Sequence, residues 1–225
     1  MSRLHHVSHT STRDSPAKCS KEALRQNPAA LQFSLSHEGE RLMEQKSEGN
    51  ITESLEGLDK PVVLALIDPI RYQEAVLGLL RYFEAKTTHG VYVSLNKPFA
   101  VLTKAFEKAG VSTQSLFFVD AITNVPSAQE NSAASCLGSG VGLSNLCIGI
   151  SKAVNRFSEE KFLLLDSLST LLIYNDAKAV AKFAHLLTEK MRRWGTSGSL
   201  LTVEMNAERD VLSQLAPFCD KVVKI

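Results

Sequence analysis

The sequence predicts an α/β fold: a doubly wound, mostly parallel sheet covered by helices on both faces, giving three layers, with a polar arm ahead of it. From Pro61 onward, short apolar runs such as VVLALI, FFV and FLLL alternate with longer amphipathic stretches. Unbroken apolar runs mark strands covered on both faces, as the strands of a parallel sheet are. Residues 1–58 have a different texture, rich in Ser, His, Glu, Gln and Asn and poor in β-branched and aromatic positions. Such a segment buries too little apolar surface to offset the entropy of ordering it. The change in texture divides the chain into a polar arm, 1–58, and one α/β domain, 59–225, a size that holds a full core.

The elements follow in order. VVLALI (62–67) is the first strand, and YQEAVLGLLRYFEAKTT the first helix, with Ala75, Leu79, Leu80 and Phe83 at helical spacing and Gly90 beyond its end. VYVSL (91–95) is a second strand. Pro98 opens the helix FAVLTKAFEKAG, which Gly110 closes, and SLFFVDAI (115–122) is a third strand running into a long polar loop, 123–143. The helix LSNLCIGISKAVNRF comes next, then FLLLDSL (162–168), the most apolar strand. A long helix over about 177–194, the strand SLLTVEM (199–205), a helical turn in ERDVLSQLAPF and a last strand KVVKI complete about six strands. Right-handed crossovers between them give the doubly wound topology.

Composition excludes several classes of function. The net charge of +1, from 25 basic and 24 acidic residues, supplies no field that would draw nucleic acid or an anionic membrane surface. Cys19, Cys136, Cys147 and Cys219 lack CxxC spacing, so neither a zinc site nor a disulfide scaffold is expected, and the thiols are read as reduced. The N-terminal residues carry no apolar core of signal-peptide length, and no run reaches the roughly 18 apolar residues of a membrane span. The expectation is a cytoplasmic protein with no membrane contact.

Several local patterns imitate sites. His5, His6 and His9 sit in a polar tail, and His89 and His185 have no partners at metal-ligand spacing. GSGVG (138–142) resembles a phosphate cradle but follows a polar loop and lacks a lysine, which fits a flexible hairpin or a helix lead-in. Ser167 is not in a GxSxG elbow. Lys190, Arg192 and Arg193 beside Trp194 stand near the end of the long helix, where cations complement the helix dipole.

Taken in order, YVSL, FFVDAIT, LSNLCIGISKAV, FLLLDSLSTLLIY and LLTVEM…LAPFCDKVVKI resemble the RecA superfamily of ATPases in its archaeal KaiC-like form, over about residues 60–225. The resemblance implies a phosphate loop, GxxxxGK[ST], in the turn after the first strand. Its glycines let backbone N–H groups close on the phosphates, its lysine neutralises them, and its hydroxyl ligates magnesium. Set against this chain, the two glycines fall at Ile67 and Tyr72, the lysine at Gln73 and the hydroxyl residue at Glu74. A like-charge pair about 4 Å apart costs roughly 4 kcal/mol at an effective dielectric of about 20, so Glu74 there argues against a triphosphate. Arg71, beside a helix N-terminus, argues the other way.

The resemblance further implies paired glutamates after the second strand, where this chain has Asn96 and Lys97, leaving no carboxylate to act as base. Asp166 matches the Walker B aspartate, although an acidic residue ending an apolar strand also caps the next segment or bonds hydroxyls such as those of Ser167 and Ser169. The vestigial nucleotide site so implied comprises Asp68, Arg71, Tyr72, Gln73, Glu74, Asn96 and Asp166, with no catalytic residue and no metal ligand. The functional expectation is a RecA/KaiC-like pseudo-ATPase without a cofactor, serving as a regulatory, scaffold or protein-interaction module. Its ligand would be a protein partner, an active KaiC-like paralogue or a second copy, with the arm and the 123–143 loop as segments a partner could order. Two alternatives stand beside it: ATP with magnesium held in another geometry by Arg71, Gln73 and Asp166, and an apolar small molecule in a vacated pocket lined by Ile67, Ile70 and Tyr72.

Overall fold

The computed structural model describes residues 49–124, 133–204 and 209–225. His5, His6, His9, Cys19 and the rest of the polar arm up to residue 48 lie outside the described residues. Seven strands form one sheet: β1 (Val62–Ile67), β2 (His89–Ser94), β3 (Leu116–Asp120), β4 (Ala134–Cys136), β5 (Lys161–Asp166), β6 (Ser197–Val203) and β7 (Lys221–Lys224). Their order is β4-β3-β2-β5-β6-β1-β7, and every pairing is parallel. The helices are α1 (Tyr72–Glu84), α2 (Phe99–Lys108), α3 (Leu143–Val154), α4 (Leu168–Tyr174), α5 (Ala177–Arg193) and α6 (Arg209–Leu215).

Alternation along the strands builds two cores. Val62, Leu64, Val91, Val93, Leu163, Leu165 and Leu200 face one side, where α3, α4, α5 and α6 contribute Ile150, Leu168, Leu187 and Leu215. Val63, Ala65, Ile67, Tyr92, Phe118, Leu164 and Leu201 face the other, against α1 and α2. Side chains of period two cover both faces, which is why these strands read as unbroken apolar runs.

Three features differ from the reading of the sequence. A seventh strand, β4, lies inside the polar loop. It has only Ala, Ser and Cys to show, and it is held by Phe118 N–H to Ala133 C=O at 2.9 Å and Leu137 N–H to Asp120 C=O at 2.7 Å. Second, the strand at 162–168 ends at Asp166. Ser167 is the N-cap of α4, so the apolar stretch after it turns into a helix whose Leu168 and Leu171 are buried. Third, residues 49–55 are helical, with Ile51 and Leu55 fully buried in the α1 core and the Tyr82 hydroxyl donating to Leu55 C=O at 3.2 Å. The folded unit therefore reaches back into the segment whose composition reads as an arm.

Two glycines are required by close packing. A Cβ at Gly198 would lie 1.9 Å from the Leu163 carbonyl oxygen, where β6 runs beside β5, and one at Gly90 would lie 2.3 Å from the Phe162 ring. Among the described residues, no helix is long and apolar enough to cross a membrane.

Candidate functional site

The carboxyl ends of β1, β2, β5 and β6 open on one crevice, the place where open α/β sheets bind ligands. β1 delivers Asp68 to Glu74. Asp68 caps the 3-10 turn Pro69–Arg71, its carboxylate accepting from Ile70 N–H at 2.8 Å, and the turn leads directly into α1. β2 ends at Ser94 and delivers Asn96 and Lys97, β5 ends at Asp166, and β6 ends at Val203.

Asp166 is the centre of this arrangement. It is 3% exposed. Its Oδ1 accepts from the Tyr72 hydroxyl and from Asn96 Nδ2 at 2.8 Å, and its Oδ2 accepts from the Tyr92 hydroxyl. Asn96 is fixed in turn, its amide oxygen accepting from the Thr170 hydroxyl. Ser167 lies 3.3 Å from Thr170 Oγ1, and Ser169 pairs with Thr202 at 2.9 Å while accepting from Val203 N–H at 2.8 Å. The Asp166–Ser167 peptide bond is cis. Burial, with the Asp166 charge and hydrogen bond added, pushes both tyrosine hydroxyls far above their ordinary value, so both are neutral donors across the accessible pH range.

Arg71 and Glu74 form a second unit. The guanidinium meets the carboxylate at 2.8 Å and 3.3 Å through two nitrogens. That hydrogen bond raises the Arg71 pKa above its ordinary value against the opposing effect of burial. Gln73 is exposed on the first turn of α1. Of the seven residues implied by resemblance, the structure thus gathers Tyr72, Asn96 and Asp166 into one network, joins Arg71 to Glu74, and leaves Asp68 capping its own turn.

Tyr92 completes the network although the sequence marks it only as a strand residue. The signal was present in the alternation: Val91 and Val93 face the α3/α5 core, so Tyr92 faces α1 and α2. Its ring stacks edge-on to Phe106 at 5.3 Å and tilts against Phe118 at 5.7 Å. Asp120, which ends β3 as Asp166 ends β5, is also absent from the sequence-derived site. Its buried carboxylate accepts from Phe99, Ile122 and Thr123 N–H at 2.7, 2.8 and 2.8 Å and from the Thr123 hydroxyl at 2.6 Å, capping α2. Ser94 is the register partner of both aspartates.

Between α1, α2 and α4 the crevice widens into a cavity of about 360 Å³. Asp166, Tyr72, Tyr92, Asn96 and Lys97 are among its polar lining, and Val76, Leu102 and Phe106 are among its apolar walls. Of the residues expected to line a vacated pocket, only Tyr72 does so. Ile67 is fully buried in the core and Ile70 is 94% exposed.

The decoys are accounted for by local partners. His89 stacks on Phe157 at 4.4 Å, and His185 meets the Phe218 ring at 4.1 Å. Arg192 binds Asp220 at 2.8 Å and the Phe218 carbonyl at 3.0 Å, and Lys190 lies over the Trp194 ring. Gly142 precedes α3 as its N-cap. Among the described residues, no three His, Cys, Asp or Glu side chains converge as metal ligands.

A family model matches residues 74–225, from the first turn of α1 to the end of β7. The chain belongs to the family of unknown function DUF7504. No curated protein matches it. Solved structures similar to this DUF7504 chain include a KaiC-like protein of the hyperthermophilic archaeon Pyrococcus horikoshii OT3, 15% identical, with a TM-score of 0.46, covering 68% of this chain and 66% of that one. The DUF7504 chain therefore spans just under two thirds of that protein's length. Another is an uncharacterized protein of Pyrococcus horikoshii in complex with an unknown peptide, 16% identical, with a TM-score of 0.52, covering 73% of this chain and 77% of that one. At these identities the likeness is one of fold alone, the parallel α/β sheet with helices on both faces.

Proposed function

We propose that this DUF7504 protein is a RecA/KaiC-like domain that does not hydrolyse ATP and that acts as a regulatory, scaffold or protein-interaction module. One observation carries the reading: the turn where the resemblance puts a phosphate loop is occupied by two internal pairs. The Tyr72 hydroxyl is held on Asp166, and the Arg71 guanidinium is held on Glu74. A triphosphate with magnesium bound in the family's manner needs close backbone approach at the Tyr72 position, a cation at Gln73 and an open aspartate oxygen at Asp166. These residues do not fit it. Asn96, at the position of a catalytic glutamate, is an amide that steadies Asp166 and has no basic oxygen for water activation.

Protein surface is then the ligand, from an unrelated partner, an active KaiC-like paralogue or a second copy. Exposed apolar side chains support this. Ile70, Ile173 and Tyr174 are 94%, 74% and 80% exposed, and Ile173 lines the cavity. The rival reading, in which Arg71, Gln73 and Asp166 hold ATP in another geometry, requires Arg71 to leave Glu74 and Tyr72 to leave Asp166.

Calorimetric titration of the full chain with ATP and magnesium, beside thermal unfolding with and without nucleotide, tests the proposal. The expected result is no heat and no shift. A ligand at 100 times its Kd stabilises by about 2.7 kcal/mol, so micromolar binding with a clear rise in Tm would overturn it. Hydrolysis above an Asp166→Ala control would do the same.

A further inference from the structure

We propose that the cavity between α1, α2 and α4 binds a small organic ammonium, an amine with an apolar body, whose charge is received by Asp166 and whose body packs between α1 and α2. This goes beyond the absence of ATP chemistry and concerns a different ligand class.

The first ground is the state of Asp166. It is buried at the floor of the cavity, and among the described residues no cationic side chain lies within ion-pair distance of it. Buried carboxylates are ordinarily paired with a cation. Three neutral donors supply hydrogen bonds here but no countercharge. Oδ1 accepts two of them and Oδ2 one, so a carboxylate with about four acceptor positions retains one on Oδ2.

The second ground is the lining. Tyr72, Tyr92 and Phe106 bring three aromatic rings to the same cavity as the carboxylate, and aromatic faces beside an anion are the environment that receives alkylammonium groups. Both tyrosine O–H groups are spent on Asp166, which leaves the remaining Oδ2 position of the carboxylate as the acceptor for a ligand N–H. Val76 and Leu102 line the remainder as apolar wall. At about 360 Å³ the space is near the lower end of the roughly 300–1,000 Å³ of ligand pockets, which suits a single ring or short chain.

Lys97 also lines the cavity and would favour a carboxylate instead. It is solvent-exposed, whereas Asp166 is buried. The exposed charge is screened and the buried one is not, so the cavity's preference is set by Asp166.

Three probes of matched shape separate these possibilities: 2-phenylethylamine, 2-phenylethanol and 3-phenylpropionate, each titrated calorimetrically into the full chain. The amine is expected to bind about tenfold tighter than the alcohol, the carboxylate weakest, in the order that a buried anion within aromatic walls dictates. Asp166→Asn should remove the amine's advantage over the alcohol, and Ala105→Phe, which fills the cavity wall, should abolish binding of both. Tighter binding of 3-phenylpropionate than of the amine would place the anchor at Lys97 and overturn the proposal. So would an amine affinity unchanged in Ala105→Phe, or no binding of the amine at millimolar concentration. If Asp166→Asn does not fold, the charge order of the probes on the parent and the Ala105→Phe result decide. ATP binding and amine binding are separate titrations, so either proposal can fail without the other.

Discussion

The Tyr72 hydroxyl donates to Asp166 from 94 residues away in the sequence, tying the first turn of α1 to the carboxyl end of β5. The contact pins Tyr72, the residue that the proposed reading sets at a phosphate-loop glycine, to the end of the sheet. Tyr72→Phe keeps the ring and deletes the bond, leaving Asp166 two of its three donors. A hydrogen bond to a charged, buried group contributes about 1.5–3 kcal/mol. Urea unfolding should show a loss within that range with an unchanged slope. A loss under a few tenths would mean that the hydroxyl is idle.

Arg71 and Glu74 sit beside that contact, partly buried, with side chains 34% and 17% exposed. Their pair should contribute at most about 1 kcal/mol to stability, and its larger effect is on charge. Glu74→Gln frees a guanidinium at a helix N-terminus, where anions are favoured. Titration with pyrophosphate should detect binding in Glu74→Gln that the parent lacks. The combined change Tyr72→Gly, Gln73→Lys and Glu74→Thr should go further and create ATP binding. A folded triple variant that binds none would show that the phosphate-loop alignment is misplaced.

Asp120 supplies a pH dependence. Burial would raise its carboxyl, but the three backbone N–H groups and the Thr123 hydroxyl outweigh burial and hold it below the usual carboxylate range. A group with a lowered folded pKa adds stability above its unfolded pKa of about 3.9, and the contribution is lost as pH falls through the lower folded value. Wild type should therefore exceed Asp120→Asn in unfolding free energy at pH 7, and the gap should narrow as pH falls below about 4. A gap of constant size across that range would show that the charge is irrelevant to the cap.

Cys219 is a chemical reporter of the same fold. Burial pushes its thiol up to about 11, Arg192 pulling weakly the other way, and Cys136 is raised by burial as well. The thiolate is the reactive form. In a Cys19→Ser variant, iodoacetamide at pH 7.5 should therefore modify Cys219 and Cys136 far more slowly than a free cysteine, until denaturant opens the domain. Rapid native-state modification at Cys219 would contradict its placement.

The strands were legible because a sheet covered on both faces has no polar alternation to hide, as in VVLALI and FLLL. What escaped was whatever lacked a run or had one too long. Ala134–Cys136 pairs with β3 through backbone alone, and the Leu-rich stretch after Asp166 reads as a continuing strand although Ser167 caps a helix. Positions in the candidate site were legible individually: Tyr72, Asn96 and Asp166 were all singled out. Their mutual bonding was not, because it joins residues 70 and 94 positions apart. Tyr92 escaped because a tyrosine inside an apolar strand is first of all a core residue, and its hydroxyl acquires a role only once β5 lies alongside.

The sheet itself offers the sharpest test, at Gly198. β5 and β6 approach so closely there that a methyl group would lie 1.9 Å from the Leu163 carbonyl oxygen and 2.9 Å from its nitrogen. These are backbone atoms of the central ladder, so no side-chain rotation relieves the clash. The two strands must separate, breaking the pairings from Phe162–Ser197 to Leu165–Leu200 that lead up to Asp166. Overpacking a core typically costs about 1–3 kcal/mol, and displaced ladder bonds add to it, so Gly198→Ala should cost at least about that much and be recovered largely in inclusion bodies. Gly142→Ala is the control: it precedes α3 with extended backbone and nothing within 4 Å of its Cβ, and its stability should stay within about 0.5 kcal/mol of the parent. Equal stability of the two variants, measured by thermal unfolding of soluble protein, would show that β5 and β6 are not in register at Leu163 and Gly198.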